Sequence, residues 1–203
     1  MITALLLLSS ALAARHEISA DTGGTTAPDG TASAWFDQGM HTPQPGLRAG
    51  YAVLRDRQRF GVVVGASWNR SNQYAYGGYD DENSSIRNRL IVDRFGVNAK
   101  ADYDVAGIFF PYLRAEARLL TAGARLTSSA EGGVEQRFHG ITGGGMGTAG
   151  FELMVPDEKL HIPVTVGVYM EAGYEATANV KLGDLGSFNL SGAVVRGGLG
   201  LRW

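Results

Sequence analysis

Over most of its length the chain keeps a two-residue rhythm of apolar and polar positions, the period of strands whose successive side chains face opposite ways. Phe60, Val62, Val64, Ala66 and Trp68 share one face against Arg59, Gly61, Val63, Gly65, Ser67 and Asn69. Phe95, Val97, Ala99, Ala101, Tyr103 and Val105 oppose Arg94, Gly96, Asn98, Lys100, Asp102 and Asp104. Leu113, Ala115, Ala117 and Leu119 oppose Tyr112, Arg114, Glu116 and Arg118, and the same pattern runs from Val164 to Glu175. The rhythm predicts eight strands, at about 31–37, 46–55, 59–69, 88–104, 107–126, 137–155, 162–177 and 189–203. The first of these, TASAWFD, carries the least alternation. No amphipathic helix of useful length competes.

The connections predicted near 55–58, 104–107 and 156–161 are short. Those near 38–45, 69–87, 127–136 and 178–188 are longer and rich in Gly, Ser, Asn and acidic residues. Strict alternation of short and long connections places both ends of an up-and-down barrel on the short-turn side, as in membrane barrels. The last strand runs to the final residue, with Ala193, Val195, Leu199, Leu201 and Trp203 on one face and Val194, Arg196, Gly198, Gly200 and Arg202 on the other.

Ahead of the strands, residues 1–14 (MITALLLLSSALAA) form an apolar run ending in Ala11-Leu12-Ala13, with Arg15 next. The run falls short of the roughly 20 residues a membrane-spanning helix needs, and its small-residue ending predicts a cleaved secretory signal peptide without the usual positive n-region. Residues 15–30 read as a polar, Gly/Thr-rich linker, leaving 31–203 as a single barrel domain.

Alternation alone does not separate a membrane barrel from a soluble lipocalin-like one, since the two exchange inside for outside. Composition decides. Charged residues make up 19% of the chain, against about a quarter in soluble domains, and glycines number 29. The polar face is largely Gly with sparse charges of both signs, which suits a narrow interior better than a water-exposed sheet. Arg48, Lys100, Arg114, Arg118 and Arg196 are expected to face Asp102, Glu116, Glu152, Glu171 and Glu175 across that lumen, because buried charges need partners. On the opposite face, Trp68 and Tyr174 near the loop ends, with Tyr51, Tyr103 and Trp203 near the turn ends, predict two aromatic girdles. The formal charge of −2 provides no field to draw nucleic acid, and the absence of cysteine excludes thiol chemistry.

On the signal-like Leu5–Ala13, the alternation over 31–203 and the terminal Leu199-x-Leu201-x-Trp203, the chain resembles the small eight-stranded outer-membrane barrels of Gram-negative bacteria, the opacity-like and OmpX-like group. The resemblance implies an all-β, eight-stranded antiparallel transmembrane barrel in the bacterial outer membrane. Its surroundings would be outer-membrane lipid and lipopolysaccharide, with an extracellular or envelope protein as partner. It also implies that Val195, Leu199, Leu201 and Trp203 form a signal read by the barrel-assembly machinery; Gly197 interrupts the row, and Trp replaces the commoner terminal Phe. Function would then reside in the loops, as adhesion or recognition, or in the barrel as an envelope structural component. The rival readings are a narrow channel for small solutes and a secreted soluble barrel holding an apolar ligand.

Chemistry is sparse. Gly145-Met146-Gly147-Thr148-Ala149-Gly150 matches a dinucleotide fingerprint, but strand alternation continues after it where a helix N-terminus is required. Among His16, His41, His139 and His161, only His139 sits where barrel hydrolases keep a catalytic histidine, with Ser128 and Ser129 as the nearest hydroxyls in sequence. No His-x-Ser motif accompanies it, so neither catalysis nor a cofactor or metal is expected. Tyr74, Tyr76, Tyr79, Asp80 and Asp81, set among glycines, form the candidate recognition loop.

Overall fold

The computed structural model describes residues 16–26, 43–55, 59–78, 85–128, 135–155 and 164–203. Its strands are β1 (His16–Thr25), β2 (Gly46–Arg55), β3 (Phe60–Gly78), β4 (Ser85–Tyr103), β5 (Phe109–Ser128), β6 (Glu135–Val155), β7 (Thr165–Thr177), β8 (Val180–Lys181), β9 (Ser187–Phe188) and β10 (Gly192–Arg202). Eight of them close into an antiparallel ring in the order β1-β10-β7-β6-β5-β4-β3-β2, while β8 and β9 form a separate two-stranded piece.

The seam of the ring corrects the sequence reading. Residues 16–25, expected within a linker, are β1: Glu17 to Thr25 pair with Arg202 to Val194 on one side, and His16 to Asp21 with Tyr51 to Gly46 on the other. Ile18 is the single large apolar residue on the outward face of β1, so its alternation is faint, and its place is set by the backbone donors and acceptors of two neighbouring strands. The barrel closes without TASAWFD, and 31–37 lies outside the described residues, as do 1–15 and 27–42.

The predicted loop 69–87 is largely strand, while in 127–136 strand is described only at 127–128 and 135–136. β3 and β4 stay paired out to Gly78↔Ser85, so most of 69–87 is a hairpin rather than a connection. β5 and β6 pair from Phe109↔Leu153 to Thr127↔Glu135. On the loop side β2 and β7 stop earlier, with Gly46 opposite Asn69 and Thr177 opposite Gly144. β3 to β6 therefore project as a four-stranded sheet beyond the rest of the ring.

The predicted loop 178–188 is ordered too. Residues 178–191 form a strap in which β8, a 3-10 turn at Gly183–Leu185 and β9 fold into the mouth of the barrel. Val180, Leu182, Phe188 and Leu190 cluster with Leu90, Val92, Leu120, Ala122 and Ala124 on the inner face of the projection, with Phe138 and Leu185 packed alongside. Truncating Phe188, which is 1% exposed, to alanine removes a fully buried ring and is expected to destabilise this cap by about 3–5 kcal/mol. Limited proteolysis should then cut within the strap while the membrane-embedded barrel stays intact; an uncut strap would disprove its dependence on this core.

Candidate functional site

The interior is built in three tiers of charge. Nearest the short turns, Lys100 lies 2.6 Å from Glu17 and 2.9 Å from Glu152, and Arg202 reaches Asp102 at 3.1 Å and also pairs with Glu152. At mid-height Glu171 accepts from Arg48 at 2.7 Å, from Arg114, and from the Tyr112 hydroxyl at 2.9 Å. Arg48 also meets Asp21 at 2.9 Å, and Asp21 accepts from Tyr169 at 2.8 Å. Toward the loops Glu175 takes Arg94 at 3.0 Å and Arg118 at 2.7 Å, while Glu116 takes Arg118 and Ser67, both at 2.6 Å. With the Asn69 carbonyl turned inward, Arg196 donates both terminal nitrogens to it, at 3.0 and 3.2 Å.

All ten lumen charges expected from the sequence lie in this interior: Arg48, Lys100, Asp102, Arg114, Glu116, Arg118, Glu152, Glu171, Glu175 and Arg196. Sequence reasoning left out Glu17 and Asp21, which it placed in a linker, and Arg94 and Arg202. Alternation had already put the two arginines on the polar face, so that signal was at hand. With these four, seven basic and seven acidic side chains share the interior among the described residues. Glycines make the room: a Cβ at Gly96 would run into the Glu116 carboxylate, and one at Gly150 would meet the Tyr112 ring. Gly145 and Gly147 of the fingerprint-like run lie in the middle of β6, so no phosphate-binding turn exists there.

Outside, the surface is the reverse. Val97 and Leu113 are each 66% exposed, Leu199 is 61% and Met170 is 55%, whereas Glu175 inside is 0%. The band covers nine residues on β3, Phe60 to Trp68, paired with Tyr103 to Phe95 on β4, within the 9–11 that a tilted membrane strand needs. Tyr51, Tyr103 and Trp203 lie at its turn end and Tyr174 toward the loops. Trp68 closes the band on the loop side, where its indole donates to Asp93 at 3.1 Å. Asp93 also chelates Arg70 through two 2.8 Å bonds, and that guanidinium holds its carboxyl below the usual carboxylate range. An apolar outside around a charged inside has only one compatible solvent arrangement. The chain is a transmembrane β-barrel.

Beyond the band the polarity of the alternation inverts. On β5 Leu119 faces out and the next residue, Leu120, faces the cap; on β4 Phe95 faces out and Val92 in. The projecting sheet is thus apolar on its inner face, as in a soluble protein, and charged on its outer face toward the tips, with Ile141, 70% exposed, facing out lower on β6. Among the described residues the membrane-level lumen is charged and the apolar cluster above it is filled by the strap, unlike the apolar-ligand interior of a lipocalin-like barrel.

No protein-family model matches the chain, and no curated protein matches it in sequence. Among solved structures it is similar to Neisserial surface protein A, at 17% identity and a TM-score of 0.45 over 92% of this chain and 94% of that one. It is also similar to Ail, the attachment invasion locus protein of Yersinia pestis, at 13% identity and a TM-score of 0.42 over 93% and 95% of the two chains. The barrel assignment rests on the ring of strands and its register.

The remaining candidates fall in different places. Val195, Leu199, Leu201 and Trp203 all lie on the outward face of β10. The backbone of Trp203 exchanges hydrogen bonds with His16 at 3.0 and 3.1 Å, and its indole stacks on the His16 ring at 5.7 Å, which in turn meets Tyr51 edge-on at 5.3 Å. Tyr74 and Tyr76 belong to β3, opposite Arg89 and Arg87, whereas Tyr79, Asp80 and Asp81 lie outside the described residues. His139 pairs with Gly123 on the outward face of β6, and Ser128 lies five residues further along β5 on the inward face. The two do not meet, and Ser129 falls outside the described residues.

Proposed function

We propose that the chain is an integral protein of the bacterial outer membrane, exported by a cleaved signal peptide and inserted by the barrel-assembly machinery. It acts at the cell surface through its projecting sheet and hairpin tips, in adhesion or recognition of an extracellular or envelope partner. The observation that carries this reading is the pairing of a packed barrel with an ordered projection. A lumen occupied by fourteen paired or hydrogen-bonded charges and covered by an apolar strap supports anchorage over transport, and the stiff sheet beyond it is the part exposed to partners.

The anchor is tested by gel mobility of the membrane-extracted protein before and after boiling; recovery only in the aqueous fraction without a heat-dependent shift would overturn it. In planar bilayers we expect no discrete conductance steps. Steps that respond to Glu171→Gln or Arg114→Gln would replace this reading with the narrow channel. Recognition is tested by exchanging residues 79–84 and 129–134 for two-residue Asn-Gly turns, which suit antiparallel strand pairs. Loss of cell-surface adhesion with unchanged barrel levels supports the loop function. If the shortened protein fully restores detergent resistance to a strain lacking the gene, and adhesion never depended on the tips, the role is that of an envelope structural component.

A further inference from the structure

The three tiers of the lumen are not separately neutral. Nearest the turns, Lys100 and Arg202 face Glu17, Asp102 and Glu152, and at mid-height Arg48 and Arg114 face Asp21 and Glu171. Toward the loops, Arg94, Arg118 and Arg196 face Glu116 and Glu175. The lowest tier therefore has one negative charge in excess, two cations against three carboxylates, and it opens to water, since the Glu17 side chain is 24% exposed. The uppermost has one positive charge in excess, three guanidinia against two carboxylates, and it is sealed. Val92 and Leu120 lie two residues above Arg94 and Arg118 on the same inward faces, and the strap packs onto them.

Arg196 carries that excess. It is 2% exposed and, among the described residues, forms no ion pair; its terminal nitrogens share the Asn69 carbonyl, and its Nε is buried without a partner. Glu171 stands directly opposite it in the β10–β7 register but already accepts from Arg48, Arg114 and Tyr112. Asp21 presents one oxygen to Arg48 and Tyr169, while the other lies over Gly46. The charge acting most strongly on Arg196 is a like one, Arg118. Arg118 donates Nε to Glu116 and Nη1 to Glu175, and its Nη2 is also buried without a partner. Buried like charges that act on each other need a counter-charge, because a low dielectric magnifies repulsion as much as attraction. Both unpartnered groups are N–H donors, so the counter-charge is an acceptor. A single unit of excess, within a lumen filled by side chains, limits it to a small monovalent anion.

We propose that the upper tier holds one halide-sized anion, such as chloride, between Arg118 Nη2 and Arg196 Nε, enclosed when the strap folds into the mouth of the barrel. The site is internal and independent of whatever the projection binds.

The test is urea unfolding of the full-length protein in lipid vesicles, followed by gel shift, in chloride and in gluconate at one ionic strength, gluconate being too large for the tier. We expect about 0.3 M chloride to raise the midpoint by about 1 M urea, the shift that saturating a native-state site gives at the usual slope of stability against urea. Asn69→Asp sets a carboxylate where Arg196 already bonds, so its midpoint should no longer depend on chloride. Wild-type crystals grown in bromide should show anomalous density between Arg118 and Arg196, a reading that requires no variant to fold. Equal wild-type midpoints in the two salts, a chloride effect undiminished in Asn69→Asp, or bromide found only outside the tier as an adventitious ion would each overturn the site. Arg196 would then be met by water or by the second oxygen of Asp21. Failure of the wild-type protein to show a heat-dependent gel shift would instead overturn the barrel reading, and the site with it.

Discussion

Replacing Glu171 by alanine is expected to lower the unfolding free energy of the reconstituted barrel by about 3–5 kcal/mol, the cost of leaving buried cations without their counter-charge. Glu171 has a fully buried side chain and is held by Arg48 at 2.7 Å, by Arg114 and by Tyr112 at 2.9 Å. Among the described residues its removal leaves Arg48 with Asp21 as its close carboxylate, and Arg114 without an ion-pair partner. Glu171→Gln keeps an acceptor for the tyrosine and loses the charge, so it should fall between wild type and Glu171→Ala. The ion pair of Asp93 with Arg70, whose side chain is 51% exposed, provides the contrast: Asp93→Ala should cost no more than about 1 kcal/mol, because water screens an exposed pair. Urea unfolding in lipid vesicles, followed by gel shift, measures all three. Equal losses for Glu171→Ala and Asp93→Ala would mean that the lumen is hydrated enough to screen its charges, and that the tiers do not hold the barrel together.

Deleting Trp203 is the second large effect, and it bears on assembly. In vivo the deletion, or a polar tail added after Trp203, should reduce the amount of heat-shifted barrel in the membrane several-fold, read by immunoblot of extracted membranes. Trp203 bonds through both its backbone N–H and C=O to His16, at the point where the first strand meets the last. Its indole completes a cluster with His16 and Tyr51 at the turn end of the band, where amphipathic aromatics favour the water–lipid boundary. Trp203→Phe retains the ring and should retain most of the assembly; Trp203→Asp should behave like the deletion. Wild-type levels for both the deletion and Trp203→Asp would show that ring closure relies on Glu17↔Arg202 onward and needs no terminal aromatic.

The strands at membrane level were legible because one face meets lipid and the other a narrow polar interior, which forces period-two alternation on β3 through β7 and on β10. The projection was harder to see. There the apolar residues change faces, so that Leu90-Ile91-Val92 and Leu119-Leu120 break the rhythm at the points where the surroundings change. The predicted strands 88–104 and 107–126 run straight through these points; read as a change of phase, they mark the upper membrane boundary and predict an apolar cap. β1 was missed for another reason. Its outward positions are His16, Ile18, Ala20, Thr22 and Gly24, too small and mixed to register as an apolar row.

By itself the sequence determined the barrel class, the side of each central strand that faces lipid, and most of the charged content of the lumen, since these follow from side-chain alternation and solvent, both local properties. Only the tertiary structure decided which strand closes the ring, where 178–191 folds, and which charge meets which. Those depend on register between strands far apart in the chain: Lys100 finds Glu17, Arg48 finds Glu171 and Arg94 finds Glu175 across the lumen. Alternation fixes the face of a side chain and not its height in the barrel, and height is what brings opposite charges within reach.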